Sequence, residues 1–98
     1  MNRAEFLKEA EKCVCQDREQ SYGSPENNFK VIADMWNLYL SNKYKAECVI
    51  TAEDVAIMMA ELKIARLTTG SFKIDSYVDC IGYMACAGEI GSNRGVRK

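Results

Sequence analysis

Glu61, Asp75 and Asp79 are carboxylates set among residues that otherwise read as core, within the stretch TAEDVAIMMAELKIARLTTGSFKIDSYVDCIGY from Thr51 to Tyr83. An acid on a mostly apolar face costs several kcal/mol of desolvation unless it meets a cation, a metal or hydrogen-bond donors. Asp75 and Asp79 are four residues apart, so on a helix they lie one above the other on one face. Two such carboxylates, with waters and substrate phosphates, are an oxygen set that suits Mg²⁺. Glu61 stands between Ala60 and Leu62. Antiparallel packing of two helices across Gly70 brings it near the level of Asp79 and gathers three acids. Lys63 and Arg66, three apart, either neutralise that cluster or bind phosphate. The same residues also suit a buried ion-pair network, with Asp79 on Lys63, Arg66 or Lys73 and Asp75 charging a helix N-terminus. Asp54 has a simpler role: with Thr51 as N-cap it completes a capping box, and Ile50 against Val55 forms a hydrophobic staple.

A second constellation is Arg18, Tyr22, Gly23 and Ser24. A helix end after a Gly-Ser turn offers backbone N–H groups to an anion, with Arg18 and the Tyr22 ring beside it. The run SPEN is equally what a helix start requires: Ser24 as N-cap, Pro25 at the first position and Glu26 complementing the dipole. Asn27 and Asn28 could hydrogen-bond a base or sugar or face solvent. Trp36, Tyr39 and Tyr44 could stack on a base, although an aromatic stripe at helical spacing also serves a core. Five cysteines, Cys13, Cys15, Cys48, Cys80 and Cys86, have no CxxC spacing, and the chain has no histidine. This excludes a Cys–His nucleophile and imidazole-containing zinc sets, and the thiols read as reduced, several of them core fillers.

Four helices must position these residues. The first reads from Asn2 or Arg3 to about Gln20, with Phe6, Leu7, Ala10, Cys13 and Val14 on one side. The second runs from Pro25 to about Leu40 and buries Phe29, Ile32, Ala33, Trp36 and Leu40, with Tyr39 at the margin. Ser41 to Cys48 loses the periodicity and reads as a loop. The third, Ala52 to Thr68 or Thr69, is apolar over much of its circumference and therefore central, and Gly70 stops it. The fourth starts near Ile74 or Asp75 and reaches about Ile90, with Val78, Ile81, Gly82, Ala85 and Cys86 inward. Residues 91–98 form a small, basic, non-periodic tail that reads as mobile. The expectation is one all-α domain over residues 1–90, a four-helix bundle-like fold completed by homo-oligomerisation through the apolar third helix.

The totals agree with this. The 98 residues allow one domain, and 48% apolar with 28% charged residues is an ordinary globular balance. A net charge of −1 gives no general pull towards nucleic acid, and Arg94, Arg97 and Lys98 are too few to change that. The N-terminus MNRAEFLKEAEK lacks the apolar region of a secretory signal, and no stretch approaches the roughly 20 apolar residues of a membrane span. The setting is read as cytoplasmic.

The segments REQSYGSPENNF, IADMWNLYL, ITAEDVAIMMAELKIARL and DSYVDCIGYMA together resemble a family of small helical proteins encoded by phages and prophages, a domain of unknown function, over Arg18 to about Ala87. More remotely, the helix pair carrying Glu61, Lys63, Arg66, Asp75 and Asp79 is similar to the acidic helices of the MazG-like all-α nucleotide pyrophosphatases. That resemblance implies Mg²⁺ held by carboxylates of two helices, cleavage of nucleoside triphosphates, and oligomers. The family's ExxE and ExxD pattern is replaced here by Asp54 and Glu61 seven apart and Asp75 and Asp79 four apart. The expected function is a phage nucleotide-handling, pyrophosphohydrolase-like protein of the host cytoplasm. In it Glu61, Asp75 and Asp79 would hold metal, Glu61 and Asp79 act in catalysis, Lys63, Arg66 and Arg18 contact phosphate, and Tyr22 and Tyr83 contact the substrate. The alternative is a non-enzymatic phage accessory protein that binds a host protein or a signalling nucleotide to counter host defence.

Overall fold

In the computed structural model the protein is all-α, and the structure describes residues 1–17, 20 and 23–94. Helix α1 spans Arg3–Lys12 and passes into a π-helical turn at Cys13–Asp17. Helices α2 (Pro25–Tyr44), α3 (Ala52–Thr69) and α4 (Ile74–Asn93) follow.

The helix starts are set by local chemistry. Ser24 Oγ accepts from the Asn27 N–H at 3.3 Å, and Pro25 opens α2 after Gly23, whose φ of +79° is left-handed. Thr51 and Asp54 form the expected capping box, with Asp54 N–H to Thr51 Oγ1 at 3.1 Å and Thr51 N–H to Asp54 Oδ2 at 3.0 Å. A further box caps α1, where Asn2 and Glu5 exchange bonds of 2.9 and 3.0 Å. Only α4 starts without a capping side chain: its N-cap is Lys73.

Three boundaries differ from the sequence reading. The first α-helix stops at Lys12, and the π turn then seats Val14 against α4; a Cβ added to Gly82 would lie 2.7 Å from Val14 Cγ1. Helix α2 continues through the polar run to Tyr44 and ends on Lys45 in the left-handed conformation. Helix α4 extends to Asn93, so residues 91–93 are helical, and Arg94 pairs with Glu53; Arg97 and Lys98 lie outside the described residues.

The α3–α4 hairpin is the centre of the molecule, with α2 against α3 and α1 against α4. Its interface is built from small residues, Ala56 and Ala60 facing Cys86 and Ala87, and is closed by Phe29, Val55, Tyr83 and Ile90. Among the described residues α1 and α2 share no substantial contact, so the four helices form an open row rather than a closed bundle. The radius of gyration, 14.7 Å, exceeds the ~13 Å of a compact domain of this length. This openness leaves Met35, Leu38, Met58 and Leu62 exposed, and Leu7 and Ala85 outside the core expected for them. No helix among the described residues is long and apolar enough to cross a membrane.

Candidate functional site

The open end of the α3–α4 hairpin forms a cleft of about 430 Å³ lined by Lys63, Arg66, Thr69, Gly70, Ser71, Lys73, Asp75, Ser76 and Asp79. Three cations and two anions leave it one positive charge in excess. Lys63 arrives there because it continues the stripe of Ala56 and Ala60 on α3 at i+7 and i+3, the stripe that faces α4. Arg66, three residues on, reaches the same end of the helix. Gly70 ends α3 in an extended conformation, its N–H donating to Arg66 O at 3.2 Å. The chain then turns back so that α4 begins inside the cleft.

Lys63 Nζ lies 2.9 Å from Asp79 Oδ2, with the lysine side chain 14% and the aspartate 37% exposed. This is the ion pair that one of the two sequence readings calls for. Arg66 makes no ion pair among the described residues. The N-terminus of α4 adds its own positive end, because its first N–H groups meet no capping side chain. Ser76, in that first turn, is only 6% exposed, and its hydroxyl has no hydrogen-bond partner among the described residues while the residue lines the cleft. The residue is buried as a whole, but no side-chain polar atom among the described residues is both buried and unpartnered, so the hydroxyl keeps access to solvent.

The sequence-predicted residues divide accordingly. Lys63, Arg66, Asp75 and Asp79 are brought together. Glu61 is exposed on the outer side of α3 beside Met58 and Leu62, and it does not line the cleft. At about 100° per residue it falls past the edge of the inward stripe, and the apolar neighbours that made it look buried are themselves exposed. The expected three-carboxylate group is thus not formed among the described residues. Tyr83 is core rather than cleft: it is buried with its ring centroid 5.9 Å from that of Phe29. Arg18 and Tyr22 lie outside the described residues. Ser76 is a site residue that the sequence reading passes over, and Lys73 enters that reading only as a candidate ion-pair partner of Asp79; the i, i+3 spacing of Ser76 and Asp79 is the signal that could have found the serine.

The donor set can be weighed against Mg²⁺. Asp75, Asp79 and the Ser76 hydroxyl are all oxygen, which fits a hard cation that takes one or two carboxylates and completes its shell with water and phosphate. No group of three or more acids, cysteines or histidines is assembled among the described residues. The residues therefore fit a Mg²⁺ ion that shares its ligands with a phosphate better than one held by protein groups alone. None of the five cysteines is in a disulfide.

Comparison with known proteins agrees with this open assignment. The chain is 36% identical over 85 residues to the Gene 55 protein of Mycobacterium phage D29, covering 87% of this chain and 52% of that protein. It is 39% identical over 78 residues to the Gene 55 protein of Mycobacterium phage L5, covering 80% of this chain and 47% of that one. The chain thus spans about half the length of these relatives. No solved structure matches it. Residues 5–91 match the family described as Domain of unknown function (DUF6378), and the chain belongs to that family.

Proposed function

We propose that the cleft binds the phosphate chain of a nucleotide together with Mg²⁺, and that the protein handles nucleotides as a MazG-like pyrophosphohydrolase does. The observation that carries the reading is the convergence of Lys63, Arg66 and Lys73 on one cleft with the uncapped N-terminus of α4, whose first turn brings Ser76 into the same lining. Anions bind where backbone N–H groups, a helix dipole and guanidinium or ammonium groups converge. In this arrangement Arg66 grips phosphoryl oxygens, Ser76 donates to one of them, and Asp75 and Asp79 face the ligand's cation. Bound Mg²⁺ would supply charge neutralisation at the phosphoryl group. Asp79 is the carboxylate of this chain that could orient a water for attack.

Glu61 favours a second reading. With that acid outside the cleft, two aspartates remain, one of them held by Lys63, and such a site can bind a nucleotide without cleaving it. The protein would then be a phage accessory factor that sequesters a signalling nucleotide or meets a host protein in the cytoplasm of the infected or lysogenic cell. The exposed Met58 and Leu62 on α3 further support self-association through that face.

Thermal unfolding with a panel of ribo- and deoxynucleoside triphosphates, with and without Mg²⁺, tests both readings. A binding nucleotide at roughly 100 times its Kd raises Tm by about 10 °C or more. The rise disappears in Lys63→Ala and Arg66→Ala. Release of pyrophosphate separates the enzyme from the binder. Indifference of Tm to every triphosphate, with and without Mg²⁺, refutes nucleotide binding.

A further inference from the structure

Lys63 is the most enclosed cation of the cleft, and it is held by an acid that the cation of an incoming ligand also seeks. The pair is short, 2.9 Å, and asymmetric: the lysine side chain is 14% exposed and the aspartate 37%. We infer that the Lys63–Asp79 ion pair is a resting contact that the two halves of the ligand must open together. The cleft then accepts a metal-complexed polyphosphate and discriminates against a bare phosphate and against a bare divalent cation. This rests on the polyphosphate reading above and adds to it the form in which the ligand is taken.

The argument follows the charges. A phosphate that draws Lys63 away on its own leaves Asp79 unpaired beside the new negative charge, with Asp75 one helical turn away. A divalent cation that captures Asp79 on its own leaves a largely buried ammonium unpaired beside a dication. Stranding one partner of an enclosed pair costs far more than separating two solvated ions. When both arrive, Lys63 exchanges a carboxylate oxygen for a phosphoryl oxygen, and Asp79 exchanges the ammonium for the metal. No charge is left without a partner at the end. Among the described residues the side chains of Arg66 and Ser76 have no competing ion pair or hydrogen bond, so they can receive the anion before the exchange. The ion pair thereby makes anion and cation binding reciprocal, as any coupling between two ligands must be.

Titration calorimetry of the full chain with inorganic pyrophosphate, in chelator and in Mg²⁺, tests this. In chelator, Asp79→Asn frees Lys63, and its affinity for pyrophosphate rises by about 20-fold over wild type, within the usual range of coupling between sites. Asp75→Asn removes the same charge without touching Lys63 and gains less than about 5-fold. The double variant Asp79→Asn/Lys63→Met loses the extra gain. Asp79→Ser replaces Asp79→Asn should the latter fail to fold. A gain in Asp79→Asn no larger than in Asp75→Asn, or one that persists in the double variant, overturns the exchange while leaving polyphosphate binding standing. Absence of pyrophosphate binding in every protein under both conditions overturns the polyphosphate reading itself, and the exchange with it.

Discussion

Asn37 stitches α2 to the start of α3, and its replacement by leucine should cost the fold about 2 kcal/mol. The side-chain amide donates from Nδ2 to Ile50 O at 2.9 Å, and its Oδ1 accepts from the Ile50 N–H at 2.7 Å. Both bonds are part-buried, and they hold the residue just before the Thr51 cap. Each bond contributes roughly 1 kcal/mol net, and the two Ile50 groups left behind retain partial access to water, so the penalty for stranding them adds little. Leucine is the informative substitution because it is close to asparagine in shape and a better helix former by a few tenths of a kcal/mol. Propensity and apolar burial both favour the variant, so any measured loss belongs to the two bonds. For a domain of this size the loss corresponds to a Tm lower by roughly 10 °C. Urea unfolding followed by circular dichroism gives the free energy, with an unchanged m-value as the check that only stability moved. The Ile50 amide should also exchange with solvent faster in the variant. A variant within about 0.5 kcal/mol of wild type, with Ile50 still protected, refutes the role given to this side chain.

Gly82→Ala gains about 1 kcal/mol of helix propensity but sets a methyl 2.7 Å from Val14 Cγ1, and a β-branched side chain yields little. Overpacking of about 1–3 kcal/mol outweighs the gain, and Val14→Ala in the same chain should recover at least about 1 kcal/mol in a double-mutant cycle of urea midpoints. Arg94→Ala removes one ion-pair partner of Glu53, whose side chain is only 11% exposed, and should cost about 1 kcal/mol after allowance for the exposed arginine. Ending the chain at Ile90 should cost more, because the last turn of α4 goes too; thermal unfolding of both variants checks the order.

The helix count, the Ser24 and Thr51 caps and the inward placement of Phe29, Ala33 and Val78 were legible, because caps and a 3.6-residue period act within one or two turns. What failed depends on partners distant in sequence. The π turn after Lys12 carries Val14, which packs on Gly82, 68 positions later, and no local signal announces that contact. Asn37 reads as an ordinary polar residue of α2 until Ile50 comes to meet it. Glu61 was misjudged for a physical reason: α3 is apolar all round, so its sequence does not mark which face is covered, and an acid beside exposed Met58 and Leu62 looks buried when it is not. Asp79 and Lys63 were legible as a pair of alternatives, metal site or ion pair, and the structure contains the ion pair.

That ion pair has a counterpart that sharpens its meaning. The core stripe of α3 begins at Glu53 and passes Ala56 and Ala60 to Lys63, while that of α4 begins at Asp79 and passes Tyr83, Cys86 and Ile90 to Arg94. Antiparallel packing therefore closes the small-residue interface with an ion pair at each end, Lys63 with Asp79 near the turn and Glu53 with Arg94 at the far end. By sequence the two pairs are equivalent. By surroundings they are not: a Cβ added to Gly91 would sit 2.8 Å from Glu53 Oε2, so the glutamate is packed against helix backbone with no space beside it. Lys63 and Asp79 instead line a 430 Å³ cleft beside an arginine and a serine hydroxyl that have no side-chain partner among the described residues. Holding two helices in register accounts for both pairs, but it accounts for neither the open space nor the idle donors at one of them. The feature that separates a clasp from a binding site is thus the free hydrogen-bonding capacity around the pair, and among the described residues the Lys63 end has it.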